Sequence, residues 1–518
     1  MYTFSSKLKS LSFILMFLGI IGIGVGFYLA PKSTAEVEEM LKKEEAHGEA
    51  GHPEAMHSDV AATHGAEIVS HEEKEIHEGY KSVTQDTPSA ENSIKSTAVV
   101  VAVDSLSGVK NTVAQTPISA KPEEFVGAAS TSVKEIKNID HAKEHEQHVE
   151  HVFHQLQNKP WAALYVACIF FMLIALGVLA FYAIQQVAQA GWSPVLFRVM
   201  QGITSYLLPG SIIFFLLLVA SGLHLNHLFV WMNEGITELG NVNYDKLIAG
   251  KSGYLNVGFW LIRAAIFLVG WNLYQYLSRK NCLAQDEAND DSYYKKNFKL
   301  SAKFLVFFMV TESIMSWDWI MSVDPHWFST LFGWYVLASF LVSGITVISM
   351  VTLYLKSLGY LTNVNSSHIH DLSKFMFGFS VFWTYLWFSQ FMLIWYANIP
   401  EEVTYFKFRI EYYNLPFFGA VVMNFIFPIL VLINTDFKRI APIVVGAGVV
   451  ILCGHYIDFF NMIMPATVGD RWFIGISEIA SVLFFLGLFL FVVFSALAKV
   501  PLTPKRNPFI KESENFHY

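Results

Sequence analysis

Residues 161–183 read WAALYVACIFFMLIALGVLAFYA, an uninterrupted apolar run without a charged side chain. A helix of about 20 apolar residues spans the hydrocarbon core of a bilayer, so this run predicts a transmembrane helix. Comparable runs recur along the chain, and none shows the short segments of alternating polarity that a membrane barrel requires. The sequence therefore predicts an all-α membrane protein with about ten transmembrane helices. The predicted spans are 10–30, 161–183, 206–230, 255–278, 303–323, 331–356, 373–398, 416–434, 440–464 and 474–497.

The overall composition agrees with this class. Of the 518 residues, 53% are hydrophobic and 15% are charged, whereas soluble proteins are about 25% charged. The net charge of −8 lacks the basic footprint of a nucleic-acid-binding protein. Cys168, Cys282 and Cys453 lie far apart with no C-x-x-C motif, which argues against covalently bound haem c, an iron–sulfur cluster or a disulfide framework in this chain.

Charge placement predicts the orientation. The N-terminal span follows Lys7 and Lys9, and Pro31 makes the point after Ala30 a poor cleavage site, so a retained helix is favoured over a signal peptide. With the N-terminus inside, seventeen Lys and Arg residues flank the spans on the inner side, against five in the short outer loops. Because Lys and Arg concentrate in cytoplasmic loops, we expect both termini to be cytoplasmic.

Four segments follow from this pattern: a first transmembrane helix (1–30), an extracytoplasmic insertion (31–158), a nine-helix membrane core (159–498) and a cytoplasmic tail (499–518). The insertion holds 11 Lys, 23 Asp and Glu, and 11 of the 18 His residues. Such a composition buries too little apolar surface to fold, so we expect it to be largely disordered, a tether or a docking segment. Its end should form a helix leading to the second span, with a boundary at Pro160.

Five histidines in this acidic, His-rich insertion recur at spacings of four and three residues, and adjacent members have the spacing of a metal chelate on a helix. The stripe drifts around the helix and no cysteine assists. A solvated polar face is therefore the preferred interpretation, no metal is assigned, and the histidines remain weak candidates. They are His141, His145, His148, His151 and His154.

Ionisable residues within spans are costly and are functional hypotheses by default. Three interpretations remain open: ion pairs that join helices, a proton route, and a quinol site formed by a His–carboxylate pair with aromatic walls. One hypothesis has Asp318 and the His455–Asp458 pair exchange protons with the outside while Glu312 extends the route inward. No catalytic residue is assigned with certainty. The candidates are Asp318, Glu312, His455, Asp458, Arg263, His224 and Glu478.

Three stretches are distinctive: TESIMSWDWIMSVDPHWFSTLFGWYVLASFLVSG (311–344), WTYLWFSQFMLIWYANIPEE (383–402) and GHYIDFF (454–460). With the ten-span plan, they resemble the second large membrane subunit of alternative complex III, a bacterial quinol:cytochrome c oxidoreductase. That subunit is similar to the NrfD/polysulfide-reductase membrane anchors. The resemblance covers residues 161–500.

The resemblance implies NrfD-like four-helix bundles in the bacterial inner membrane, with residues 31–158 periplasmic. It implies a sister NrfD-like subunit, an iron–sulfur protein, c-type cytochrome subunits and a terminal oxidase as partners. Haem c and iron–sulfur clusters would then lie on those partners, with quinone or menaquinone as a ligand of the complex. We therefore expect a subunit that supports quinol oxidation, assembly and proton conduction. The alternatives are an ion-coupled transporter or channel, and a purely structural scaffold.

Overall fold

The computed structural model describes residues 2–48, 123–241 and 243–517, with side-chain detail lacking for 45–48, 123–144 and 147. Within these residues, ten helices are long and apolar enough to cross a membrane, which confirms the prediction of an all-α membrane protein. We number them spans 1 to 10. Their bounds are Ser6–Leu29, His148–Val187, Pro194–Gly222, Val257–Gln285, Ser292–Val323, Phe332–Ser357, Ser366–Ala397, Asn414–Leu432, Ala441–Val468 and Ile476–Leu497.

Most spans extend beyond their predicted apolar cores, because a helix continues into its polar flanks. Span 3 differs most from its predicted range of 206–230. It begins at Pro194 and ends at Gly222, and the chain leaves the helix as His224 takes a left-handed φ of 56°. Residues 223–229 therefore form a connection after the helix.

Spans 2 and 6 form the centre of the membrane core. In each, 94% of the most apolar window is buried, as expected for helices that are apolar on all sides. The two helices approach closely at glycines: a Cβ on Gly177 would lie 2.5 Å from the carbonyl oxygen of Phe340, and one on Gly344 would lie 2.9 Å from the backbone nitrogen of Val178. Small residues at such crossings let helix backbones pack in contact.

Span 1 packs lengthwise against span 10, and only 17% of its most apolar window is buried. The contact is lined by small residues: a Cβ on Gly22 would lie 2.5 Å from that of Ala480, and one on Gly19 would lie 2.6 Å from that of Phe484. The rest of span 1 presents apolar side chains such as Phe17 outward.

Shorter elements connect the spans. Lys246–Lys251 and Pro400–Tyr412 are helices on the side where spans 3 and 7 end, and Ile510–Glu514 is a helix near the C-terminus. Single tight turns occur at Val230–Met232, Met321–Val323 and Phe437–Arg439. Within span 8, Val422–Ile426 widens into a π-helical turn between Asn414–Val421 and Phe427–Leu432.

The insertion includes two described helices, Thr34–Gly48 and the first part of a long helix, Glu123–Val187. The long helix runs without a break into span 2, so the expected boundary at Pro160 is wrong. Proline removes only one backbone donor, and neighbouring helices let a membrane helix tolerate that loss. Residues 38–147 form a unit separate from the rest of the chain. The prediction of disorder for residues 49–122 concerns residues outside the described part.

Candidate functional site

The Asp458 carboxylate is held by donors from two neighbouring spans. Tyr335 and Ser339 of span 6 both donate to it, the Ser339 Oγ–Asp458 Oδ2 distance being 2.9 Å. The indole Nε1–H of Trp383 in span 7 donates to the same oxygen at 2.8 Å. The Asp458 side chain is only 2% exposed. Three donors thus converge on one buried carboxylate, which accepts hydrogen bonds at both of its oxygens.

Ser339 connects Asp458 to His455, one turn earlier on span 9. The Ser339 Oγ atom lies 2.9 Å from His455 Nδ1, whereas His455 Nδ1 and Asp458 Oδ2 are 3.9 Å apart. Because Ser339 donates its proton to Asp458, it accepts one from His455 Nδ1–H. This tautomer leaves His455 Nε2 as a bare acceptor, and that atom is buried without a partner in the described part of the chain. The three residues thus form one hydrogen-bonded unit, which we call the Asp458 site.

A small cavity touches one side of the Asp458 site. Asp458 and Tyr335 line it together with the aromatic rings of Trp387 and Phe406 and the guanidinium of Arg409. Its volume is about 10 Å³, close to the minimum that holds one water molecule. The cavity therefore offers Asp458 a position for water, and it is far too small for the ring of a quinol.

Arg263 and Asp318 form a bidentate ion pair between spans 4 and 5. The two Arg263–Asp318 nitrogen–oxygen distances are 2.7 and 3.0 Å. The guanidinium also lies 4.0 Å from the ring of Tyr254 and 4.3 Å from that of Phe259. The backbone carbonyl of Asp318 accepts from Trp260 Nε1 at 2.9 Å. The charged groups of Arg263 and Asp318 thus neutralise each other, and this arrangement favours a structural connection between helices over a proton carrier.

Glu312 lies two turns deeper on span 5 and is buried. The hydrogen bonds described for its carboxyl group come from Ser316 Oγ at 3.2 Å and Ser313 Oγ at 3.3 Å. Both are long and neutral contacts, unlike the donors at Asp458. The Glu312 carboxyl group is therefore held less firmly than that of Asp458.

Glu478 and His224 occupy the ends of spans. Glu478 accepts from the backbone N–H of Gly475 at 2.8 Å and so caps the start of span 10. His224 lies in the connection after span 3. The structure therefore places both beside helix ends and gives neither a contact with the Asp458 site.

The histidine stripe is partly described. His151 Nε2 lies 2.8 Å from the side-chain amide of Gln155, and the ring of His154 packs 5.3 Å from that of His227. Among the side chains that the structure describes, no three His, Cys, Asp or Glu residues converge on a metal position. The side chain of His141 lies outside the described residues.

Sequence reasoning found Asp458 and His455 but missed the groups that organise them. Ser339 and Tyr335 carry no charge, so a search for ionisable residues passed over them. Span 6 carries several other hydroxyl side chains, such as Ser343 and Thr346, so its sequence gives no signal that singles out Ser339. Trp383 was noted only as part of the distinctive stretch 383–402.

No protein-family model matches this chain, and no curated protein matches its sequence.

Proposed function

We propose that the chain is a membrane subunit of a bacterial respiratory quinol:cytochrome c oxidoreductase of the alternative complex III type, and that it carries protons at the Asp458 site. Its membrane character follows from the ten apolar helices. In the proposed orientation, both termini are cytoplasmic and the Asp458 site lies toward the periplasm.

One observation carries this proposal. The three stretches that resemble the respiratory subunit are separated in sequence, yet each supplies side chains to the same buried site. Ser339 comes from residues 311–344, Trp383 from 383–402, and Asp458 with His455 from 454–460. A common chemical role at the Asp458 site would explain why three stretches that are far apart in the sequence are all distinctive.

The size of the adjoining cavity supports a proton route more than a quinol slot. A quinol head group needs a pocket many times larger than about 10 Å³, since pockets for small organic ligands are about 300 Å³ or more. We therefore assign proton exchange to this chain and quinol or menaquinone binding to the sister NrfD-like subunit. Haem c and iron–sulfur clusters belong to the partner subunits in this proposal.

Purification of the chain tests whether it belongs to such a complex. A tag on the C-terminus would be used to isolate the chain from native membranes in mild detergent, followed by a reduced-minus-oxidised spectrum. We expect c-type haem in fixed proportion to the tagged chain. A homogeneous product without haem would contradict the respiratory proposal and favour an ion-coupled transporter.

Site variants test the proton role. Asp458→Asn and Ser339→Ala should assemble normally but slow quinol oxidation and the accompanying proton release. Thr346→Val is the matched control, because the Thr346 hydroxyl bonds only to the carbonyl of Val342 in its own helix, at 2.7 Å. Normal turnover and proton release in the Asp458 variant would contradict the proton role and indicate that the chain is a structural scaffold.

A further inference from the structure

A second polar cluster lies at the opposite end of the core, where spans 2, 3, 4 and 5 end on the side of the termini. Its centre is the hydroxyl of Tyr182, which is buried in span 2. Four side chains surround that oxygen: Gln186 Nε2 at 3.0 Å, Gln201 Nε2 and Asn297 Nδ2 at 3.1 Å, and Ser278 Oγ at 3.2 Å. A phenol accepts two hydrogen bonds and donates one, so these contacts cannot all form at once. The cluster therefore has more than one hydrogen-bonding pattern.

The cluster continues toward the middle of the membrane. Ser278 also contacts the hydroxyl of Tyr274, one turn away on span 4. The Tyr274 hydroxyl lies 2.7 Å from Ser301 Oγ on span 5. A row of hydroxyl groups thus extends from Tyr182 to Ser301 through otherwise apolar helices.

On its other side the cluster borders a cavity of about 10 Å³, which we call the end cavity. Gln186 and Asn297 line it, and their carbonyl oxygens, Oε1 and Oδ1, are buried without a partner in the described part of the chain. A buried acceptor left unbonded is destabilising, and the end cavity has room for about one water molecule. Water in this position would satisfy both oxygens.

The C-terminal tail covers the end cavity. Pro504 and Asn507 line the same cavity from the tail. Between them, the backbone N–H of Lys505 donates to Asp286 Oδ1 at 2.9 Å, and the guanidinium of Arg506 donates to the carbonyl of Ala288 at 2.6 Å. Both contacts are exposed to solvent, and Gln285 Nε2 adds a partly buried one by donating to the carbonyl of Arg506 at 3.3 Å.

The tail is held more firmly beyond this point. The buried Ser513 hydroxyl donates to the carbonyl of Trp192 at 2.6 Å and accepts from the N–H of Val195 at 3.2 Å. The carbonyl of Ser513 also lies 3.0 Å from His368 Nε2. The segment over the cavity is thus attached mainly through exposed hydrogen bonds, whereas its far end is anchored in the core.

We propose that residues 504–507 are a cover that opens and closes over the end cavity, admitting water and protons to the Tyr182 cluster from the side of the termini. The attachment at Ser513 keeps the cover in place while the contacts of Lys505 and Arg506 break and reform. This inference concerns the Tyr182 cluster in spans 2 to 5, so it is independent of the respiratory assignment and of the Asp458 site.

Cys282 supplies a native reporter, because it lines the end cavity and is 8% exposed. With Cys168 and Cys453 replaced by Ala, the rate of Cys282 modification by a small water-soluble thiol reagent would be measured in the full chain. Arg506→Ala removes the cover's guanidinium contacts and should raise that rate about tenfold, which corresponds to ~1.4 kcal/mol. Lys511→Ala removes an equal charge from an exposed part of the tail and should leave the rate unchanged.

Equal rates in the parent and in Arg506→Ala would overturn the proposal, as would an equal increase in Lys511→Ala. A second measurement guards against general loosening of the fold. Cys168 is fully buried in span 2, so a chain retaining only Cys168 should stay unreactive when Arg506→Ala is introduced. Reaction of Cys168 in that variant would show unfolding and not the opening of a cover.

Discussion

The two buried aspartates of the membrane core have opposite surroundings. Asp318 faces a cation, because Arg263 binds both of its carboxylate oxygens. Asp458 is held by the neutral donors Tyr335, Ser339 and Trp383. Arg263 fixes Asp318 in an ion pair between spans 4 and 5, whereas Asp458 belongs to a hydrogen-bonded unit of neutral groups, so the two residues suit different tasks. At the scale of single residues, Asp318 fits a role in stability and Asp458 a role in proton exchange.

Breaking the Arg263–Asp318 pair from one side should be far more damaging than removing both charges. Arg263→Met leaves an unpaired buried carboxylate, and such a change costs about 3–5 kcal/mol. Combining it with Asp318→Leu should recover most of that loss. Thermal unfolding in detergent checks this, and a double variant no more stable than the single one would contradict the structural role.

Asp245 should give the connection after span 3 an acid-sensitive local stability. Its carboxylate accepts from the N–H groups of Leu247 and Ile248 at 2.8 and 3.0 Å, and lies 2.6 Å from His326 Nε2. Burial acts to raise the pKa of Asp245, but the hydrogen bonds from Ile248, His326 and Leu247 outweigh it and lower that pKa below its usual value. The stabilisation is therefore complete above the ordinary aspartate pKa of about 4, and is lost as the pH falls through the lower folded value.

Hydrogen exchange of the Leu247 and Ile248 amides measures this effect. Their protection should fall on acidification through that range in the parent chain. Asp245→Asn keeps a capping oxygen and should show little pH dependence, whereas Asp245→Ala should lose about 1 kcal/mol of local stability at neutral pH. Protection in the parent that is constant down to strongly acidic pH would contradict the expectation.

Among the helices, span 1 is held in place by one narrow contact with span 10. Gly22 and Gly26 face Ala480 and Ser477 of span 10, whereas a Cβ on Gly24 would meet nothing within 4 Å. Gly22→Leu and Gly26→Leu should therefore separate the two helices, and Gly24→Leu should not. A protease site placed within residues 49–122 would allow the fragments to be cut and the co-purification of span 1 to be measured. Retention in all three variants would contradict the packing.

The π-helical turn of span 8 leaves Asn424 pressed against Gly454 of span 9. A Cβ on Gly454 would collide with the Asn424 side-chain oxygen and lie 2.7 Å from Met423 Cβ. Gly454→Ala should therefore destabilise the protein by about 1–3 kcal/mol, the usual cost of overpacking. Gly446→Ala, on the same span with open space around it, should be neutral or slightly stabilising in the same thermal-unfolding assay.

For the whole molecule, the even number of spans places both termini on one side. Alkaline phosphatase, which is active only outside the cytoplasm, should be inactive when fused after Asn289 in the connection between spans 4 and 5. It should be active when fused after Ser329 in the next connection. The reverse pattern would invert the proposed orientation and place the Asp458 site toward the cytoplasm.

The sequence predicted the ten helices because each must bury a long apolar run, and this signal needs no knowledge of packing. It identified Asp458 and Arg263 because charge in an apolar run is conspicuous. It did not identify Ser339 or Tyr335, since a hydroxyl in a membrane helix often bonds to its own backbone, as Thr346 does. Only the packing of span 6 against span 9 shows that Ser339 and Tyr335 bond to another helix, whereas Thr346 bonds within its own. The sequence also did not predict the cover over the end cavity, because the cover forms where the C-terminal tail folds back onto connections over 200 residues away.

The contact between span 1 and span 10 also has a consequence for biosynthesis. Ribosomes add about 5–20 residues per second, and 446 residues lie between Leu29 and Ile476. Span 1 must therefore wait roughly 20–90 s for its partner. During that interval its glycine face meets only lipid or an insertion factor. Span 1 thus enters the membrane long before the helix against which it packs, and it is exposed to quality-control proteases while synthesis continues.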